Sequence, residues 1–210
     1  MKLYVVRHGE TEWNKDELFR GRKDVPLNEA GRVQAERAGA YFVGEPVQRV
    51  LSSPLGRARQ TAEPIGRTTH VHVETREEFT DMAFGIWEGR PLREIAECCP
   101  ADLALWRNSP EKLRLEAAET LEDVRERVGK GLADATCGAE ETIVVVTHRV
   151  ICKILVLFCL GIPNDHFWDL KFDPGSITLL ERTDNRYALI FSNDTCHQKE
   201  ALAAALYRDF

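Results

Sequence analysis

The sequence has no C-x-x-C pair among its six cysteines, no basic excess, no internal repeat and no long apolar run. Each absence removes a class of protein. Cys98, Cys99, Cys137, Cys152, Cys159 and Cys196 lack the spacing of a zinc site. Cys98 and Cys99 are adjacent, a spacing that rarely closes a structural bridge. Cys152 and Cys159 lie seven apart in an apolar helical stretch and read as packing. Reduced thiols in a cytoplasmic protein are therefore expected. The longest apolar stretch, residues 151–162, contains Lys153 and falls short of the roughly 20 residues a membrane-spanning helix needs. Met1-Lys2 runs straight into a strand-like segment that soon meets Arg7, His8 and Glu10, which does not read as a signal peptide. Lys and Arg number 28 against 34 Asp and Glu, a net charge of -6. Neither nucleic acid nor a membrane surface is an expected partner for such a chain.

What is present suits a globular protein. The 210 residues are 43% hydrophobic and 30% charged, enough for one sizeable core, and a single domain over 1–210 is expected. Leu3-Tyr4-Val5-Val6 reads as a buried strand that ends in a polar loop, residues 7–14. Asn28 is placed to cap a helix reaching about Phe42. Val50-Leu51 reads as a second strand, followed by a helix with Ser53 as cap and Pro54 at its first position. Val71-His72-Val73 reads as a third strand. Residues 75–110 look irregular, with short helices near 92–98 and 102–106. Thr120 opens a helix to about Ala135, with the acidic Asp123 three residues on. Residues 142–146 form the strongest strand signal, followed by Thr147-His148-Arg149 and a helix to Leu160. Residues 176–180 and 187–191 flank a turn at Thr183-Asp184-Asn185-Arg186, as in a hairpin. Strands alternating with helices predict an α/β sandwich of three layers, a mostly parallel sheet with helices on both faces. Ligands of open α/β sheets bind beyond the carboxyl ends of the strands. The strands at 3–6 and 142–146 both end in loops carrying Arg and His, so these two loops are expected to converge.

Three ordered segments carry chemistry: Arg7-His8-Gly9-Glu10-Thr11-Glu12-Trp13-Asn14 after the first strand, residues 51–62 from Leu51-Ser52-Ser53-Pro54 through Arg57 to Ala62, and Val144-Val145-Val146-Thr147-His148. Together they resemble the histidine phosphatase superfamily, the phosphoglycerate mutase-like branch. Phe19-Arg20-Gly21 and Pro26-Leu27 fit that family's loop after the first motif, so the resemblance runs through most of the chain. It implies a phosphoric monoester hydrolase that acts on a small phosphorylated metabolite through a phosphohistidine on His8. It calls for no metal or other cofactor. A phosphomonoester repels an incoming nucleophile with nearly two negative charges, and guanidinium forks neutralise that charge with paired donors. By resemblance Arg7 and Arg57 do this, His148 completes the catalytic pocket, and Asn14, Arg20 and Gly21 bind substrate. A backbone carbonyl on the other ring nitrogen of His8 would fix its tautomer.

The chain departs from the family at two places. The family carries a proton-donating glutamate a few residues before G-x-W-E-G, here Gly85-Ile86-Trp87-Glu88-Gly89, and the corresponding residue is Asp81. Aspartate keeps the acid and shortens its reach by one methylene. Glu77 or Glu78 is the alternative if the loop register slips. Arg149-Val150 stands after His148 where many members have two glycines. Arg149 either brings a charge to the substrate or points outward. The mutases of the family carry E-R-H-Y-G around the proton donor, where this chain has Asp81-Met82-Ala83-Phe84-Gly85. A phosphatase is therefore preferred to a cofactor-dependent mutase or to a weakly catalytic phospho-ligand binding module.

Other residues have plainer readings beside sharper ones. Arg20, Arg22 and Lys23 form either a solvated basic loop or a rim that attracts anionic substrate. His70 and His72 read as surface histidines, and Trp87, Trp106 and Trp168 as core or cap-packing aromatics. Asn193-Asp194-Thr195-Cys196-His197 is similar to a segment of some metal-independent phosphoserine phosphatases, which would turn His197 toward the non-phosphate part of the substrate. The resemblance also implies an irregular cap over the active site at about 75–115, and allows a homodimer paired through sheet edges.

Overall fold

The computed structural model describes residues 1–15, 18–138, 141–184 and 186–198. In chain order the elements are β1 (Lys2–Arg7), α1 (Glu12–Lys15), α2 (Glu29–Tyr41), β2 (Arg49–Ser52), α3 (Gly56–Thr69), β3 (Val73–Thr75), α4 (Leu92–Cys98), α5 (Pro100–Asn108), α6 (Leu121–Ala135), β4 (Thr142–Thr147), α7 (Arg149–Leu160), β5 (Ile177–Thr183) and β6 (Arg186–Asp194). Short 3-10 turns lie between them. The strands form one six-stranded sheet in the order β3-β2-β4-β1-β5-β6. β1, β2, β3 and β4 run parallel, and the β5–β6 hairpin is added antiparallel to β1. This is the mostly parallel α/β sheet that the sequence implies. Asn185, in the expected hairpin turn, lies outside the described residues.

Successive side chains of a strand point to opposite faces, and the apolar residues divide accordingly. Leu3, Val5, Leu51, Ile143 and Val145 belong to a core shared with α6 and α7. Tyr4, Val6, Val50, Val144 and Val146 belong to a second core containing Ala58, Ala62 and Ile65 of α3. β4 is buried at all six positions, as a central parallel strand covered on both faces should be.

Two helix starts are capped as the local sequence implies. The Asn28 side chain accepts from Gly31 N. Thr120 and Asp123 form a reciprocal capping box. Ser53 does not cap α3, which begins two residues later than expected with Leu55 at its cap and no side-chain cap bond. The Ser53 hydroxyl is used elsewhere, as described below. The third strand also lies two residues later than read from sequence, at Val73–Thr75, because there it pairs with β2. Cys152 is buried and Cys159 partly so, and all six cysteines are free thiols. Among the described residues no helix is long and apolar enough to cross a membrane.

The segment 76–120, between β3 and α6, holds α4, α5 and three 3-10 turns. An aromatic cluster ties it to the body: Phe19 packs edge-on to Phe84 and near Trp87, while Trp106 meets Phe84, Phe167 and Trp168. Trp87 and Trp106 are buried as expected, whereas Trp168 is 37% exposed.

The loop after β1 presses hard against α2. A Cβ on Gly31 would stand 2.0 Å from the Glu10 carbonyl oxygen, and one on Gly9 would stand 2.5 Å from the Gly31 carbonyl oxygen. Both obstacles are backbone, so neither can rotate away. Gly31→Ala is expected to destabilise the protein by about 1–3 kcal/mol, the range for overpacking a tight site. A thermal melt of the purified variant, giving a lowered Tm, checks this.

Candidate active site

The parallel register builds the site. Arg7 at the end of β1 pairs with Thr147 at the end of β4, so His8 and His148 leave the sheet side by side. Their ring centroids are 5.1 Å apart, and His8 N donates to Thr147 O at 2.8 Å. Ser52 of β2 is level with Val146 of β4, which puts Ser53 beside His148. Arg57 is the second residue of α3 and reaches back into the same place. Three segments distant in sequence therefore meet at the carboxyl edge of three parallel strands.

His8, Arg57 and His148 are each 0% exposed. His8 Nδ1 lies 2.6 Å from Gly9 O, so Nδ1 carries the proton and donates it. Nε2 then holds a lone pair, and it has no hydrogen-bond partner among the described residues. The Gly9 turn is itself held, because Gly9 N donates to Thr61 Oγ1 at 3.1 Å. Burial, reinforced by Arg57, Arg20 and Arg7, holds the His8 pKa well below the usual histidine value. His148 is held low by burial, then by Arg57 and His8. Arg57 Nε donates to His148 Nδ1 at 3.1 Å. Nδ1 must therefore be the acceptor, leaving Nε2–H to donate to Ser53 Oγ at 2.8 Å.

Arg57 is almost fully engaged. Besides His148 it donates to Lys23 O, Gly21 O and Asp81 Oδ2. Asp81 Oδ2 is 3.1 Å from Arg57 and 3.6 Å from His148 Nδ1. The loop register is fixed: Asp81 Oδ1 accepts from Met82 N, and the Asp81 carbonyl accepts from Arg22 and Arg127. Both arginines are paired with Glu119. Glu77 is exposed and accepts from Thr80 Oγ1, while Glu78 packs on Gly131. Asp81 is thus the carboxylate of the 77–81 segment at the site.

A cleft of about 340 Å³ opens in front of this cluster, lined by Arg7, Asn14, Arg20, Gly21, Asp81 and Arg149 among others. Arg7 Nη1 donates to Phe172 O, while Arg7 Nε and Arg20 Nε are buried and unpartnered among the described residues. Burial, then repulsion from Arg149 and Arg20, presses the Arg7 guanidinium down to about 9. Burial lowers Arg20 to about 10, with Asp81 opposing. Asn14 Oδ1 accepts from Thr11 N and Thr11 Oγ1, leaving its amide nitrogen as a donor. Gly21 sits at φ +52, and a Cβ there would strike the Glu88 side chain. Arg149 faces the cleft rather than pointing outward.

One expected site residue is elsewhere. His197 does not line the cleft. Its Nε2 lies 3.0 Å from Gly175 O, and its ring packs edge-on to Tyr41. The basic trio is also divided: Arg20 faces the cleft, Arg22 pairs with Glu119, and Lys23 is exposed. Ser53, Thr61 and the cleft-lining Arg107 and Trp168 were not singled out as site residues by sequence reasoning. Ser53 and Thr61 lie within the second motif, which was the available signal for them. Among the described residues no three His, Cys, Asp or Glu side chains gather as a metal site.

Residues 3–195 match the Histidine phosphatase superfamily (branch 1). The chain belongs to that superfamily. It is 30% identical over 202 residues to phosphoserine phosphatase 1 of Hydrogenobacter thermophilus, covering 95% of each chain. It is 28% identical over 176 residues to the adenosylcobalamin/alpha-ribazole phosphatase of Escherichia coli, covering 83% of this chain and 87% of the other. Among solved structures, a mycobacterial glucosyl-3-phosphoglycerate phosphatase in complex with VO3 superposes with a TM-score of 0.86 at 26% identity, covering 92% of this chain and 99% of that one. The member described here is a phosphatase, a phosphoric monoester hydrolase.

The depressed histidine pKa values give stability a pH dependence. The unfolded chain takes up a proton on each histidine as pH falls through about 6.5, whereas folded His8 and His148 resist it. Their contribution is therefore present above about pH 6.5 and is lost as pH falls below it, by about 1.4 kcal/mol per pH unit for each. Tm is expected to drop between pH 7 and pH 5, with a shallower slope in His8→Asn. Paired melts of the two proteins across that range check the difference.

Proposed function

We propose that this phosphatase hydrolyses a small phosphomonoester through a phosphohistidine on His8, with no metal ion. The observation that carries the reading is the unpartnered, unprotonated Nε2 of His8, fixed by the Nδ1–H···O bond to Gly9 and surrounded by arginines. Nε2 attacks phosphorus as the bond to the leaving oxygen breaks. Arg7 and Arg20 bring unpartnered guanidinium N–H groups to the phosphoryl oxygens, where charge is concentrated during transfer. Arg57 keeps one N–H beyond its protein partners, and Asn14 adds a neutral donor. Asp81, which takes up a proton from water as the substrate's phosphoryl group replaces it beside Arg57, gives that proton to the departing oxygen, and the alcohol leaves. Water then attacks the phosphohistidine, Asp81 takes its proton, and phosphate departs from regenerated His8.

In the empty site Asp81 occupies a place beside the Arg57 guanidinium that suits an anion. An entering phosphoryl group would displace it toward the leaving oxygen. Arg22 and Arg127 hold its loop at the Asp81 carbonyl. The relatives' names support a small phosphorylated metabolite as substrate, because they are called phosphoserine, alpha-ribazole and glucosyl-3-phosphoglycerate phosphatases.

Hydrolysis of p-nitrophenyl phosphate in EDTA is the direct test. Wild-type turnover should persist, and His8→Ala should lose it by a factor on the order of 10⁴ or more. Turnover indifferent to His8 would overturn the reading. Asp81→Asn should slow an alkyl phosphate by about 10²–10⁴-fold, the usual worth of a general acid. The same variant should slow p-nitrophenyl phosphate much less, since nitrophenolate leaves without a proton. Steady-state kcat values on both substrates check this split.

A further inference from the structure

The cleft holds more positive charge than a phosphoryl group requires. Among the described residues, Arg7, Arg20, Arg107 and Arg149 line it against one carboxylate, Asp81, which already bonds Arg57. A phosphomonoester brings about two negative charges, so a bound substrate with no other anion would leave the cleft cationic.

Arg149 stands out among these side chains. It follows His148 directly and is the first residue of α7, so it starts level with the reacting centre. No hydrogen bond or ion pair holds its guanidinium among the described residues. Burial lowers its pKa with only Asp81 opposing, and its charge in turn lowers Arg7 and Lys153. Such an arrangement costs stability until an anion enters.

The surroundings say which part of the substrate Arg149 meets. Its guanidinium carbon lies 5.8 Å from the centre of the Trp168 ring. That indole is fixed: Trp168 Nε1 donates to Trp106 O at 2.6 Å, and Lys153 Nζ sits 4.0 Å from the ring. Lys153 follows Arg149 by one helical turn, so α7 sets both cations on one ring. Lys153 Nζ also donates to Phe167 O, which ties the wall to the helix. Phe84, Leu92, Trp106 and Val150 continue the wall. Its side chains are apolar where those assigned to the phosphoryl group are guanidinium groups, which suits the leaving group.

We propose that Arg149, braced on Trp168 and assisted by Arg107, is a second anion subsite, and that the physiological substrate is a phosphomonoester carrying a further carboxylate or phosphate on its leaving group. The subsite rests on the phosphatase reading above. Lys153 and Trp168 act as positioning residues, holding the guanidinium where the substrate's second anion arrives.

The test compares kcat/KM within two matched pairs. 3-Phosphoglycerate against glycerol 3-phosphate exchanges a carboxylate for a hydroxymethyl group. Fructose 1,6-bisphosphate against fructose 6-phosphate adds a phosphate. Wild type should prefer the anion-bearing member of at least one pair by about tenfold or more, the worth of one charge-assisted bond. The pair that responds tells carboxylate from phosphate. In Arg149→Met the preference should fall toward unity, and in Arg149→Lys part of it should remain, because the charge survives without the fork. Melts of both variants establish that they are folded. A wild type that hydrolyses p-nitrophenyl phosphate but shows no preference in either pair would refute the subsite alone, as would a preference that survives Arg149→Met. A wild type inactive on p-nitrophenyl phosphate would refute the phosphatase reading and the subsite together.

Discussion

The site depends on one constraint, the parallel pairing of β1 with β4 that sets Arg7 opposite Thr147. A shift of one residue would reverse the face of every side chain on β1. Leu3 and Val5 would exchange cores with Tyr4 and Val6, and His8 would no longer meet His148. The packing of both faces therefore enforces the register, and the register delivers two imidazoles 5.1 Å apart at the strand ends. β2 extends the same alignment, so that Ser53 reaches His148.

Charge crowding is the second organising force. Burial, and after it the arginines nearby, keep His8 neutral, and those arginines are themselves pressed down by burial and mutual repulsion. A site of this kind is electrostatically unsatisfied when empty. Asp81 relieves part of the strain by bonding Arg57, which also orders the loop that carries it. Arg22, Arg127 and Glu119 fix that loop from outside the cleft. On the function proposed above, the substrate's anion completes the neutralisation, so binding energy and transition-state stabilisation draw on the same guanidinium groups.

Most of the fold was legible in the sequence because its signals are local. The apolar run before Arg7, the Asn28 cap and the Thr120–Asp123 box each specify an element from a few neighbouring residues. Ser53 misled because a serine before a proline is a good helix cap, and nothing local shows that a histidine 95 positions away takes its hydroxyl. His197 was placed near the substrate from a short tail motif, but the chain carries it under Gly175 and against Tyr41.

The sequence by itself determined the family and the residue types of the candidate site: Arg7, His8, Arg57 and His148 in ordered motifs, within an α/β pattern that brings strand ends together. Tertiary structure decided the rest. It placed Asp81 in the cleft beside Arg57, with Glu77 exposed and Glu78 packed on Gly131. It gave His8 its tautomer through Gly9, and it turned Arg149 into the cleft against Trp168. The physical reason is the same in each case. A residue's type is written locally, but its protonation, orientation and neighbours are set by groups that only folding brings within a few ångströms.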